Sequence, residues 1–576
     1  MDGGYLIAEF LKKKNVKYLF ALCGGHISPI IVGAKENGIK VIDVRHEATA
    51  VFAADARARL TGIPGVAAVT AGPGVTNSIT PLKNAQLSQS PVILLGGAVA
   101  TILKGRGALQ DIEQIKLFKS ITKWNARIEQ DCDIAPVLEE AFDVALSGVP
   151  GPVFIECPID LLYNEELVRK WYNLGQKDMN TIKQRVEKWY LKKHVDKLFA
   201  CSPEKIDTIE RDAIIPYYID MKDIQKILSQ INNATRPLLI VGTQTMLKVD
   251  NVNNLINAIN TLGIPVYLTG MARGLLGKEH PLNYKHKRKV ALKEADLVIL
   301  SGMPQDFRLN YGSDINSKAF LISINRNREE LEKNRKPNIG IQADCSLFLQ
   351  SLANEKSFEK DYSDWIHLLD KRESLRLSEI EHFLKEPTEY INPLALCVEI
   401  EKKMDNDCVI VVDGGDFVAI ASYILKTRGP LRWIDAGPFG TLGAGAGFAL
   451  AAKLTYPSSE VWLIYGDGAA GYSITEFDTF VRHKIPIIAL VGNDAGWSQI
   501  TRDQVKYLND DIGTTLRYSD YHLVAKGYGA EGLFLDNHSE IPKILEEAKK
   551  LSKKGKPVLI NALIGKTKFR EGSISM

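Results

Sequence analysis

The sequence predicts an α/β protein made of three doubly wound parallel-sheet domains. Its 576 residues are too many for a single hydrophobic core. Short apolar runs alternate with stretches of helical periodicity, the pattern of strands joined by crossover helices. That pattern recurs in three blocks, 1–165, 217–354 and 391–566, with no exact repeat between them. Segments 166–216 and 355–390 read as linkers, and 567–576 as a tail.

In the first block Tyr5, Leu6, Ala8, Phe10 and Leu11 lie at helical spacing, so a helix opens the chain almost at once. Apolar runs at 18–22, 41–44, 65–70, 91–95 and 153–157 read as strands. Glu47 starts a helix continued by Ala48, Val51, Phe52, Ala53 and Ala54. In the first linker, residues 182–199 carry Lys183, Arg185, Lys188, Lys192, Lys193 and Lys197 against Glu187 and Asp196. Ile182, Val186 and Trp189 recur there at helical spacing, giving a basic amphipathic helix. Such a helix packs on the body with its charges in solvent, or lies on a membrane surface. The second block has strands at 237–241, 266–269, 297–301 and 319–323, and the third at 408–412, 461–465 and 485–491.

Composition bounds the partners. Hydrophobic residues make up 45% and charged residues 24%, as in ordinary globular proteins. A formal net charge of +3, with no basic stripe interleaved with aromatics, argues against nucleic acid. The seven cysteines (Cys23, Cys132, Cys157, Cys201, Cys345, Cys397 and Cys408) have no Cys-x-x-Cys spacing and read as reduced core residues. No apolar run of membrane-spanning length appears, and the N-terminus lacks a signal-peptide shape. Cytoplasmic residence is one expectation. Endoplasmic-reticulum association through a segment not included in this sequence is the other.

The motif with the most chemistry is Gly466-Asp467-Gly468, followed about two dozen residues later by Asn493. Each follows a strand-like run, where open α/β sheets bind their ligands. Asp467, Asn493 and the backbone carbonyl of Ala495 are hard oxygen ligands of the kind Mg²⁺ takes, with phosphate completing its shell. The glycines allow close approach of a diphosphate, and the helix continuing through Ala469 aims N–H groups at it. A tight strand–helix turn is the bland alternative for the motif taken alone.

The spacing resembles the binding motif of thiamine-diphosphate (ThDP) enzymes. That resemblance requires an early glutamate, and Arg45-His46-Glu47 is similar to the corresponding segment of the acetolactate synthase, oxalyl-CoA decarboxylase and 2-hydroxyacyl-CoA lyase branch. It implies that Glu47 touches the cofactor's pyrimidine ring and shares a proton with it. Read alone, Glu47 is a helix N-terminal carboxylate. Thr70 to Asn77, with Gly72, resembles the loop beneath the cofactor. Gly107-Ala108-Leu109-Gln110-Asp111 resembles a segment whose Gln110 would contact substrate; Asp111 stands where Glu is usual. Leu442, in Phe439-Gly440-Thr441-Leu442-Gly443, would wedge under the cofactor, and Gly415, Asp416 and Phe417 would cradle the diphosphate.

Within the branch, Gly270-Met271-Ala272-Arg273-Gly274 and Asn493-Asp494-Ala495-Gly496-Trp497 resemble the acyl-CoA enzymes more than acetolactate synthases. Gly24-Gly25-His26, Asn325-Arg326-Asn327 and Phe477-Asp478-Thr479 strengthen the likeness to eukaryotic acetolactate synthase-like lyases. The implied activity is ThDP- and Mg²⁺-dependent cleavage of a 2-hydroxyacyl-CoA to a shortened aldehyde and formyl-CoA. Its rivals are acetolactate-type carboligation of 2-oxo acids such as pyruvate, and a non-catalytic ThDP-binding paralogue. His26, Arg288 and Trp497 are candidates for substrate or nucleotide contact, and the central domain for an FAD or ADP-like nucleotide. Lys566, Lys568 and Arg570 read as a lid over CoA phosphates or a solvated tail. In the family, the Glu47 side and the Mg²⁺ side meet across a subunit interface, so a homodimer or homotetramer is expected.

Overall fold

Apolar runs form the interiors of three six-stranded sheets in a computed structural model that describes residues 2–174, 181–201, 219–247 and 249–571. The first sheet lies in one compact unit, residues 1–214, and the other two in a second, 215–576. Every ladder within the sheets is parallel. A parallel strand is covered by helices on both faces, which is why its sequence is continuously apolar and not alternating.

The first sheet holds β1 (Tyr18–Ala21), β2 (Lys40–Asp43), β3 (Gly65–Val69), β4 (Val92–Ala98), β5 (Trp124–Arg127) and β6 (Val153–Pro158), in the order β2-β1-β3-β4-β6-β5. The second holds β7 (Pro237–Val241), β8 (Val266–Leu268), β9 (Asn283–Tyr284), β10 (Leu297–Ser301), β11 (Phe320–Asn325) and β12 (Ile339–Gln342), ordered β12-β11-β10-β7-β8-β9. The third holds β13 (Val409–Asp413), β14 (Trp433–Ile434), β15 (Val461–Gly466), β16 (Ile488–Asn493), β17 (Glu531–Leu535) and β18 (Val558–Leu563), ordered β14-β13-β15-β16-β18-β17. First and third sheets thus share one winding, reversing between their first and third strands. The second reverses between β7 and β10. Such reversals open a crevice at the carboxyl ends of the strands, and crevices of this kind bind ligands.

Each sheet has its own core. Phe10, Leu11, Leu19 and Ile155 are fully or nearly fully buried in the first, Leu238, Leu300 and Trp365 in the second, and Trp462, Ile464 and Leu490 in the third. Helix Gly3–Lys13 opens the chain as expected, capped by Asp2, whose carboxylate accepts the Tyr5 N–H at 2.7 Å.

Three expectations need correction. Cys132 and Cys201 are not reduced core thiols: they are paired in a disulfide, with Cα atoms 5.9 Å apart, and Cys23 is exposed. The pairing follows from helix Ile182–Leu198, which buries Val195 and Leu198 against the first unit and so carries Cys201 to Cys132. That helix exists as predicted, yet its expected apolar stripe is exposed at Ile182, Val186 and Trp189. Val195 and Leu198 lie on its opposite side, and His194 bonds there to the Thr101 hydroxyl at 2.8 Å. The tail is not simply solvated. Phe569 is buried with its ring centroid 5.4 Å from those of Phe383 and Tyr423. The remaining parts of the first linker, 175–180 and 202–216, and of the tail, 572–576, lie outside the described residues. No helix among the described residues is long and apolar enough to cross a membrane.

Candidate active site

In the third sheet the winding reverses between β13 and β15, and the Gly-Asp-Gly motif sits there. Gly414 and Gly415 leave β13 while Gly466 ends β15, and the Gly466 N–H donates to the Gly414 carbonyl at 2.9 Å. A Cβ built on Gly466 would stand 2.8 Å from that carbonyl and 3.1 Å from the Gly415 Cα, so the strand ends meet backbone to backbone. Asp413, the last residue of β13, accepts the N–H groups of Gly443 (3.2 Å) and Gly445 (2.8 Å). Burial pushes its carboxyl up to about 7. This clamp sets Leu442 against Gly414, where an added Cβ would be 2.1 Å from Leu442 Cδ2.

Asp467 opens the helix Asp467–Ser473, and Asn493 closes β16 fully buried. Asp467 Oδ1 accepts the Gly468 N–H at 2.8 Å and Oδ2 the Gly496 N–H at 3.0 Å. Asn493 Oδ1 accepts the Ala495 N–H at 3.3 Å. The two oxygens are therefore held on one turn, by neighbouring amides of Ala495 and Gly496. Burial, and then the Asp494 carboxylate beside it, raises the Asp467 pKa well above the usual range. A buried acidic pair of that kind gains from a divalent cation. The Ala495 carbonyl accepts the Leu516 N–H at 2.8 Å, which leaves it one lone pair. The Trp497 ring covers the motif, 2.4 Å from a Cβ built on Gly468, and Phe417 packs equally close on Gly492. Ala469 is buried in the same helix. Asp416 is held by Arg502 at 2.7 Å, with Arg570 at 3.6 Å.

In the first unit, Glu47 is the first residue of helix Glu47–Thr61 and is buried. Its Oε2 accepts from the Asn77 side-chain amide at 3.0 Å, and its Oε1 lies 3.5 Å from a Cβ built on Gly74. Gly72 follows β3, next to the reversal between β1 and β3. His26, from the loop after β1, places Nδ1 3.3 Å from the Thr70 hydroxyl, and burial lowers its pKa. Gln110 lies against Gly72, its carbonyl 2.8 Å from a Cβ built there.

The donor chemistry suits the expected groups. Two hard oxygens on one turn beside a glycine-only meeting of strand ends fit Mg²⁺ and a diphosphate. Thiamine pyrophosphate enzyme models match the chain three times: the N-terminal TPP binding domain over residues 1–117, the central domain over 224–352 and the C-terminal TPP binding domain over 413–562. The chain belongs to the thiamine pyrophosphate enzymes. It is 47% identical to 2-hydroxyacyl-CoA lyase 2 of Danio rerio, across 100% of this chain and 93% of that protein. With the human protein of that name it shares 44%, across 100% and 92%. With the acetolactate synthase large subunit IlvG of Mycobacterium tuberculosis it shares 31%, across 98% and 96%. The expectation of a ThDP-dependent enzyme of this branch is borne out.

Within this thiamine pyrophosphate enzyme the structure groups Asp467, Asn493, Ala495, Trp497, Leu442, Gly415 and Gly466 in one cluster of the second unit, and Glu47, Gly72, Gln110 and His26 in one cluster of the first. Arg288 bonds within the second sheet's domain. Its Nη2 donates to the Arg308 carbonyl at 2.6 Å, and burial lowers its pKa. Several site residues carry no mark in the sequence. Asn77 does lie in the glycine-rich loop that drew attention, though its partner is 30 residues away. Tyr521 donates its hydroxyl to the Asp467 carbonyl at 2.9 Å, and the Asn561 side chain bonds to Asn493 at 3.2 Å. Both lie far along the chain, where no local spacing could find them.

Proposed function

We propose that this chain is a ThDP- and Mg²⁺-dependent lyase that cleaves 2-hydroxyacyl-CoA into an aldehyde one carbon shorter and formyl-CoA. The observation carrying this reading is end-to-end similarity to proteins named 2-hydroxyacyl-CoA lyase 2, together with the two clusters in which Glu47, Asp467 and Asn493 stand ready. ThDP, when bound, would supply the electron sink for the pair released as the C–C bond breaks. Asp467 and Asn493 would hold Mg²⁺, and the amides after Gly415 and Gly466 the diphosphate. Glu47 would exchange a proton with the pyrimidine; the Asn77 amide fixes its carboxyl, and burial excludes water from it. Leu442 supports the cofactor from the side of Gly414, and Gln110 faces substrate. The cleavage is redox-neutral, so it calls for no electron transfer by a flavin.

Each group of site residues carries exposed apolar side chains nearby: Leu109 in the first unit, Tyr472, Leu508 and Ile512 in the second. A homodimer or homotetramer that covers these surfaces completes the reading. The test supplies purified protein, ThDP and Mg²⁺ with a 2-hydroxyacyl-CoA or with pyruvate. Aldehyde and formyl-CoA from the first, nothing from the second, and a hundred-fold or larger loss in Glu47→Gln (about the scale of general acid–base catalysis) support it. Acetolactate from pyruvate alone overturns it in favour of carboligation. Sedimentation velocity reads the assembly, and a fully active monomer contradicts the oligomer.

A further inference from the structure

Glu156, in β6, is 1% exposed and carries three partners. Its Oε1 receives Lys104 Nζ at 3.1 Å and Arg127 Nη1 at 3.2 Å, and its Oε2 receives the Gln114 side-chain amide at 3.2 Å. Lys104 and Gln114 bracket the loop that presents Gln110, so one buried carboxylate closes the base of that loop. The loop holds itself in shape with a Gly105 N–H to Asp111 Oδ2 bond of 2.6 Å. Gln110 adopts a left-handed backbone, φ +66°, which a non-glycine residue keeps only where its surroundings enforce it.

Gln114 extends the connection. Its amide nitrogen also donates to the Gly97 carbonyl at 3.1 Å, and its carbonyl oxygen accepts the Gly72 N–H at 3.0 Å. The polarity of this chain is dictated from one end. A carboxylate only accepts, so the Gln114 NH₂ must face Glu156, and its oxygen is then left for Gly72. Gly72 in turn abuts the Gln110 backbone.

We propose that Glu156 and Gln114 are positioning residues, a buried relay that orients Gly72 and Gln110 for the reaction. The inference rests on the reading of Gln110 as a substrate contact. Glu156→Gln keeps the shape but puts an NH₂ opposite the Gln114 NH₂. To relieve that, Gln114 must turn over, which sets its NH₂ against the Gly72 N–H. Gln114→Glu keeps the acceptor for Gly72 but opposes two carboxylates. The double substitution restores one donor and one acceptor between the two positions and an acceptor for Gly72, while the Gly97 carbonyl loses its donor.

The experiment compares wild type, both single variants and the double variant in holoenzyme turnover, global melting and amide hydrogen exchange without cofactor. Expected for each single variant is a fall in kcat of about ten- to a hundred-fold, the scale of a small misplacement near the chemistry. KM for the acyl-CoA should change less than three-fold and the melting temperature little, while exchange quickens in peptides covering 70–77 and 104–112. In the double variant both turnover and slow exchange should return in part, above the level of either single variant. Wild-type turnover and exchange in Glu156→Gln overturn the relay, and so do losses the double variant fails to recover. If Glu156→Gln does not fold, Gln114→Met breaks the same contacts without adding a charge and must show the same local exchange. If wild-type protein itself releases no aldehyde, the proposed activity fails, and the exchange measurements alone decide the relay.

Discussion

Gly414→Ala probes how the diphosphate cluster is built. Gly414 has φ +57°, in the left-handed region, where alanine costs about 1–2 kcal/mol. The new methyl would also stand 2.1 Å from Leu442 Cδ2 and 3.2 Å from the Ala469 Cβ. The Leu442 backbone cannot follow, because Asp413 holds the N–H groups of Gly443 and Gly445. Only the leucine side chain can give way, and overpacking of this kind costs about 1–3 kcal/mol. The expected destabilisation is therefore about 2–5 kcal/mol. Leu442→Ala in the same chain removes the colliding atoms, so the two substitutions should be coupled by about 1–3 kcal/mol, the double variant losing less than the sum of the singles. Urea denaturation followed by tryptophan fluorescence measures it, with Trp433, Trp462 and Trp497 reporting from the third sheet. ThDP titration of Gly414→Ala should show binding weakened about ten-fold, the effect of some 1.4 kcal/mol, as Leu442 is driven from its place. A Gly414→Ala protein within about 0.5 kcal/mol of wild type, or one whose loss is unaffected by Leu442→Ala, refutes this account of the packing.

Two further outcomes follow from charges in the second unit. In Asp467→Asn an NH₂ replaces one of the oxygens that accept the Gly468 and Gly496 N–H groups, and the charge available to Mg²⁺ is lost. Mg²⁺ with ThDP at about a hundred times the dissociation constant should stabilise wild type by about 2.7 kcal/mol and leave the variant's melting unchanged; equal stabilisation of both removes Asp467 from the metal site. Lys285 is an exposed residue whose Nζ is desolvated where it donates to the Leu425 carbonyl at 2.8 Å, and this desolvation lowers its pKa to about 7. Between that value and the ordinary lysine range the unfolded chain binds a proton that the folded one does not. Stability from this group accordingly rises with pH above about 7, by less than the about 1.4 kcal/mol per unit of a fully desolvated group because solvent screens an exposed residue, and is lost as pH falls toward 7. Lys285→Met should flatten the dependence between pH 7 and 9 in denaturation experiments (a window set by that lowered pKa); an unchanged slope assigns it to other groups.

What could be read from the sequence depended on how local each constraint is. Interior strands such as β7, β10, β13 and β15 are buried along their whole length, so an apolar run marks them. The edge strands that no apolar run marks are short or half-covered: β9 and β14 have two residues each, β5 has no fully buried residue, β12 alternates buried and exposed, and β17 buries two of its five. Interior β18 escaped for another reason, since buried Asn561 interrupts its apolar run in order to meet Asn493. The same distinction governs the site. Asp467 and Asn493 stand at the ends of adjacent strands, so the chemistry imposes residue types at a spacing the eye can find. Glu156 and Gln114 are 42 residues apart, and Gln114 is as far again from Gly72. Each of them could be any buried polar residue until the fold brings the three together. Their polarity is nonetheless as constrained as that of the motif, because an acceptor-only carboxylate at one end decides which atom Gly72 meets at the other. A positioning network of this kind is written in the fold and not in the spacing, which is why a substitution at Glu156 should be felt first at Gln110.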